Sequence, residues 1–137
     1  MIVKISSQHV QQIVDQAREE FPLECCGLLA GIRTPNEILI KKVVPLYNTD
    51  QSSELFSMDP KEQFAAIKQM RSEGYTIVGN YHSHPNTPSR PSLEDIRLAY
   101  DSEMLYGIVS LKDEVPDLNF FRIRSEELVE KVECILT

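Results

Sequence analysis

Two hydrophobic periods run through the chain. From Val10, apolar residues return at Ile13, Val14, Ala17 and Phe21, the spacing of one helical face, behind a serine at 6 or 7 that can cap the helix; Pro22 forces its end. Ile2 to Ile5, just before it, reads as a short strand. The apolar run Cys25 to Ile32, the turn Thr34-Pro35-Asn36 and the longer run Glu37 to Tyr47 predict a β-hairpin. Asn48 to Glu54 is a polar loop and Leu55 to Met58 a short strand. Asp59, Pro60 and Glu62 then supply an N-cap, a proline at N1 and a capping partner at N3 for a second helix. Phe64, Ile67 and Met70 form its buried side, and Gly74 ends it.

Tyr75 to Tyr81 is rich in β-branched and aromatic residues and reads as a strand. Ser92 opens a third helix running to about Tyr100, with Leu93, Ile96 and Tyr100 as its inward stripe. Met104 to Leu111 and Leu118 to Arg124 are two more strands around the polar turn Lys112 to Asp117. The tail from Ser125 reads both ways: Val132, Cys134 and Leu136 alternate as in a strand, whereas Glu126 to Lys131 favour helix. Hairpins with helices between them predict an α+β fold with a mixed sheet.

Composition narrows the function classes. The 137 residues, 42% of them hydrophobic, suffice for one core, so residues 1–137 are expected to form a single domain. No apolar run approaches the roughly 20 residues needed to span a bilayer. The net charge of −7, without Lys/Arg clusters, argues against nucleic acid or an anionic membrane as partner. Three cysteines with no signal peptide in view fit a reducing cytoplasm.

The chemistry concentrates in His82-Ser83-His84-Pro85, followed by Ser92 and Asp95. Strand alternation puts His82 and His84 on one face, a bidentate start for a metal. If the helix start folds back to the strand end, Asp95 completes a His, His, Asp set that leaves a fourth position open, as catalytic zinc requires. The same residues admit a plainer reading: Ser92 and Asp95 form a helix capping box, and a His-x-His at a strand end can be idle. A thiolate from Cys25 or Cys26 is a weak rival ligand, since neighbours on a strand point to opposite faces and no C-x-x-C spacing occurs. Glu24 stands out from Glu19 and Glu20, which are left to solvent, because it leads directly into the apolar run. His9 is read as a surface residue.

His82-Ser83-His84-Pro85, seven residues on Ser92-x-x-Asp95, and the upstream Glu24 resemble the JAMM (MPN+) metalloprotease signature. Asn48, Phe56 to Pro60, and Val78-Gly79 also resemble that family's compact prokaryotic members, and the likeness covers about residues 1 to 125. It implies an MPN-like (cytidine-deaminase-like) domain in which helices flank a curved mixed β-sheet. It also implies one Zn²⁺ per chain on His82, His84 and Asp95, with Glu24 as the acid/base residue and Ser92 as the oxyanion donor.

The expected reaction is hydrolysis of the peptide or isopeptide bond after the C-terminal Gly-Gly of a ubiquitin-like or sulfur-carrier protein. The segment Pro85 to Pro91 and the loop Asn48 to Glu54 are expected to wall the tail. A zinc amidase on small peptides or metabolites would keep the same five residues, and a non-catalytic MPN scaffold would dispense with them. A zinc deaminase is disfavoured because H-x-E and P-C-x-x-C are missing. Oligomeric state is not legible in this sequence.

Overall fold

The computed structural model describes residues 1–137. Its elements in chain order are β1 (Ile2–Ile5), α1 (Ser7–Glu20), β2 (Cys26–Arg33), β3 (Glu37–Leu46), α2 (Pro60–Ser72), β4 (Thr76–His84), α3 (Leu93–Arg97), β5 (Leu105–Ser110), β6 (Asp117–Ser125) and β7 (Leu128–Leu136). The strands follow the order β1-β3-β2-β4-β5-β6-β7, and β7 closes the ring by pairing in parallel with β1. β1 with β3 and β4 with β5 are also parallel, while the other neighbours are antiparallel. The expected curved mixed sheet is thus curved to closure. The tail left open between helix and strand is a strand, because β6 and β1 both present unpaired backbone edges that only a strand can satisfy together. Glu126 and Glu127 make the turn into it.

Alternation along β2 sends its residues to two cores. Leu29, and Cys25 just before the strand, join Val3, Ile5, Ile38, Val78, Tyr81, Leu105, Val109 and Phe120 under α1, which contributes Ile13, Val14 and Ala17. Cys26, Leu28 and Ala30 face the other way, against Met70 of α2. A third cluster, Ile108, Phe121 and Ile123, carries Ile96 and Ala99 from α3 and the turn after it. Gly27 has a packing reason: a Cβ there would lie 2.3 Å from the Tyr81 ring and hydroxyl oxygen. That hydroxyl donates to Gln16 Oε1, and Gln16 Nε2 donates to the Cys26 carbonyl at 2.9 Å, which fastens α1 to the start of β2.

Ser6 is the N-cap of α1 and accepts from the His9 amide. Phe21, the C-cap residue of α1, is half exposed, whereas Ile13, Val14 and Ala17 of the same stripe are buried. In α2 the inward stripe is Gln63, Ala66, Ile67 and Met70, and Phe64, about 100° further round, is 70% exposed. Asp59 caps α2, but the Glu62 carboxylate accepts from the Tyr47 amide rather than closing a capping box. Leu55 to Met58 contains no strand, only a bridge between Asn48 and Met58.

α3 stops at Arg97, leaving Leu93 and Tyr100 exposed. The Tyr106 hydroxyl donates to the Asp101 carbonyl and accepts its amide, drawing the chain away from the helix axis and onto the sheet. His9 is half-buried with an unpartnered Nδ1, and burial followed by the nearby Lys41 charge lowers its pKa. Glu20, also half-buried, accepts from Gln16 rather than lying free in solvent.

Candidate active site

His82 and His84 end β4, held by Cys26 opposite His82 on β2 and by Ile108 and Ser110 of β5 opposite the two histidines. The residue between them, Ser83, points to the opposite face, where its Oγ accepts from the Cys25 amide at 2.8 Å. Both rings are almost fully buried. His84 Nδ1 donates to the Pro88 carbonyl at 2.8 Å, which fixes the tautomer and frees Nε2 as a lone-pair donor. The His82 Nδ1 has no such partner; its ring is held instead by stacking on Phe56, with centroids 4.6 Å apart.

The helix start folds back as its sequence requires. Ser92 caps α3 by accepting the Asp95 amide, and Asp95 Oδ2 accepts the Ser92 amide at 2.9 Å. The capping box and the metal reading are therefore compatible, since the box is what aims the carboxylate at the histidines. Asp95 Oδ2 lies 3.2 Å from His82 Nε2 and 3.0 Å from His84 Nε2, and the two Nε2 atoms are 3.1 Å apart. A tetrahedral shell with bonds of about 2.0–2.1 Å has edges of roughly 3.3 Å, so this triangle of two imidazoles and one carboxylate fits a metal ion with one face open. No cysteine belongs to the trio. Cys25 and Cys26 are buried on opposite faces, and burial pushes both thiols up to about 12.

Glu24 sits at the mouth of β2 and is 4% exposed, with Oε1 buried and unpartnered. Burial raises its pKa to about 8; His84 opposes that rise, while Asp95 and Glu54 add to it. Asp95 is the reverse case. Although burial pushes its pKa up, the hydrogen bonds of His82 and His84, the charge of His82 and the Ser92 amide hold it well below the usual carboxylate range. Burial lowers His82 below the ordinary imidazole value. It pulls His84 the same way, but Asp95, the Pro88 carbonyl and Glu24 outweigh it and leave that pKa raised.

Two hollows flank the trio. One, of about 250 Å³, is lined only by polar side chains, Glu24, Ser53, Glu54, His84, Asn86, Thr87 and Ser92, so the loop after Asn48 and the segment after Pro85 form two of its walls. The other, of about 320 Å³, reaches His82 and Asp95 between Phe56 and Met58 on one side and Leu98, Tyr100 and Ile108 on another. The segment from Pro85 to Pro91 is bolted to the sheet: Ser110 Oγ donates to the Thr87 carbonyl and Ser89 Oγ to the Ile108 carbonyl, both at 2.6 Å. Sequence reasoning missed the stacking role of Phe56, the apolar hollow, and the anchoring by Ser83. Only Ser83 carried a local signal, as a polar residue that strand alternation places on the face of the apolar Tyr81, opposite both histidines.

A closed mixed sheet that carries a His-His-Asp trio able to hold a metal, with a buried carboxylate in the hollow beside it, points to the JAB/MPN class. The profile of prokaryotic homologues of the JAB domain matches residues 6–124, and the chain belongs to that family, as a JAMM-type hydrolase. The CysO-cysteine peptidase of Mycobacterium tuberculosis is 30% identical over 112 residues, which are 82% of this chain and 75% of that one. The desampylase of Pyrococcus furiosus is 30% identical over 110 residues, 80% of this chain and 76% of that one. The solution structure of a Desulfitobacterium hafniense protein superposes with a TM-score of 0.90 at 43% identity, covering 100% of this chain and 93% of that one. The family is metal-dependent, and the trio here is able to hold the ion.

Proposed function

We propose that this protein is a zinc metallopeptidase that hydrolyses the amide bond after the C-terminal Gly-Gly of a ubiquitin-like or sulfur-carrier protein, with residues 1–137 acting as one catalytic unit. The observation that carries the reading is Glu24: a buried carboxylate with no hydrogen-bond partner, in the same hollow as His84 and Ser92. The names of the relatives, peptidases and conjugate-cleaving enzymes of carrier proteins, support the substrate class. His82, His84 and Asp95 would hold the zinc; bound there, it supplies Lewis-acid polarisation of the carbonyl and a water of lowered pKa.

The remaining steps belong to the chain itself. Glu24 accepts the proton of the attacking water and delivers one to the departing amine, without which the amine is a poor leaving group. Ser92 Oγ accepts from the Asp95 amide as the helix cap, and its own hydrogen remains available to donate to the oxyanion of the tetrahedral intermediate. Because the proton must reach the amine, the leaving group lies in the polar hollow beside Glu24 and the glycine tail approaches along the apolar one beside Phe56. Three free thiols favour action in the reducing cytoplasm.

The test is mass spectrometry of a carrier protein from the same genome, extended past its terminal Gly-Gly and incubated with zinc-loaded wild type or Glu24→Ala. Cleavage after the last glycine by wild type alone is the expected result. Cleavage of the isolated tail peptide as fast as the folded carrier would point instead to a small-substrate amidase.

A further inference from the structure

Nothing holds the Glu24 carboxylate directly, so its aim depends on its backbone. Both polar groups of that backbone are tied to the loop between β3 and α2: the Glu24 amide donates to the Ser52 carbonyl at 2.8 Å, and its carbonyl accepts from Asn48 Nδ2 at 3.0 Å. Asn48 is fully buried and its side chain is saturated. Nδ2 also donates to the Leu55 carbonyl at 3.0 Å, and Oδ1 accepts the amides of Asp50 at 3.0 Å and Ser57 at 3.2 Å. The loop so gathered supplies Ser53 and Glu54 to the polar hollow and Phe56, Ser57 and Met58 to the apolar one.

We propose that Asn48 is a positioning residue for Glu24: it fuses the loop lying along both hollows to the backbone of the base, so that loop and carboxylate move as one body. The proposal rests on the reading of Glu24 given above. A side chain that merely stitched the loop together would need its bonds to Leu55, Asp50 and Ser57, but not the fourth to the Glu24 carbonyl. That fourth bond is the one that reaches the chemistry. A displacement of about 1 Å in a reacting group can cost on the order of 10²-fold in rate, so this tie is felt in turnover rather than in binding.

The test compares wild type with Asn48→Asp, which keeps both acceptor bonds and loses both donor bonds, and with Asn48→Ala. In folded, metal-loaded variants kcat is expected to fall by roughly 10- to 100-fold, with KM changed less than about 3-fold and one metal still bound per chain. An unchanged kcat, or a raised KM alone, would overturn the proposal. Amide hydrogen exchange on wild type supplies a readout that needs neither a folded variant nor turnover: the amides of Glu24, Asp50 and Ser57 are expected to share one opening free energy. Independent opening of the Glu24 amide would show that loop and base are not one body. If wild type cleaves no carrier, the functional reading fails, and the exchange result still decides the coupling.

Discussion

Ser83 accepts the Cys25 amide on its Oγ at 2.8 Å and donates its own amide to the Cys25 carbonyl at 3.1 Å. The residue that separates the two histidines is therefore clamped to the residue that follows Glu24. This side-chain bond extends the β2–β4 pairing beyond Cys26 and His82 and registers the carboxylate against the imidazoles.

Removing that clamp leaves a buried amide without a partner. Ser83→Ala is expected to lower the unfolding free energy by about 1–3 kcal/mol. Urea unfolding of the metal-loaded protein at unchanged m-value measures it, and a loss under about 0.5 kcal/mol would mean that the Cys25 amide finds another acceptor.

Asp95 serves both the cap and the trio, and a substitution can separate the two. Asp95→Asn keeps an oxygen able to accept the Ser92 amide, so α3 is retained, but it lacks the anionic donor. The variant is expected to remain folded and to lose stoichiometric metal, as His82→Ala and His84→Ala also should. Elemental analysis after dialysis, with circular dichroism alongside, reads both properties. Full occupancy in Asp95→Asn would remove its charge from the requirement for binding.

Ser92 divides in the same way. At an N-cap, glycine costs only a few tenths of a kcal/mol, whereas alanine costs about 1 kcal/mol. Ser92→Gly should therefore keep nearly wild-type stability while kcat falls by about 10²-fold through loss of the oxyanion donor. Thermal melts and steady-state kinetics on the pair Ser92→Gly and Ser92→Ala separate cap from catalysis. If kcat follows stability across the pair, the hydroxyl acts only as a cap.

Where local rules decide the outcome, the sequence was a sufficient guide. Period-2 alternation puts His82 and His84 on one face, Ser6 and Asp59 cap α1 and α2, and Gly74, at a φ of +86°, ends α2. What escaped it depends on partners far along the chain. The strand at Leu128–Leu136 exists because β1 and β6 offer edges to it, although only Val132 in it is buried. Phe64 and Tyr100 are apolar residues at roughly helical spacing, yet both remain largely exposed, Phe64 beside the inward stripe of α2 and Tyr100 beyond the end of α3. The tie from Asn48 to Glu24 spans 24 residues, and neither side of it has a local period. The resemblance singled out Asn48 without giving it a role.

The raised pKa of Glu24 makes the metal-free protein sensitive to pH. Its folded value is about 8 against an ordinary 4.5, so the folded state keeps a proton that the unfolded state gives up. The resulting stability is fully present below about pH 4.5 and is lost as pH rises toward 8, by at most about 1.4 kcal/mol per pH unit. The histidines titrate nearby. His84, raised partly through Glu24, also loses its contribution as pH rises, whereas lowered His82 costs stability as pH falls below its ordinary 6.5. The difference between wild type and Glu24→Gln, rather than either slope alone, therefore reports the carboxylate. In the presence of a chelator, wild type is expected to lose more stability than Glu24→Gln between pH 5 and pH 8. A bound divalent cation favours the ionised carboxylate and should narrow that gap. Urea unfolding at several pH values, with and without zinc, measures both, and parallel curves for the two chelated proteins would show that Glu24 is already ionised in the empty site.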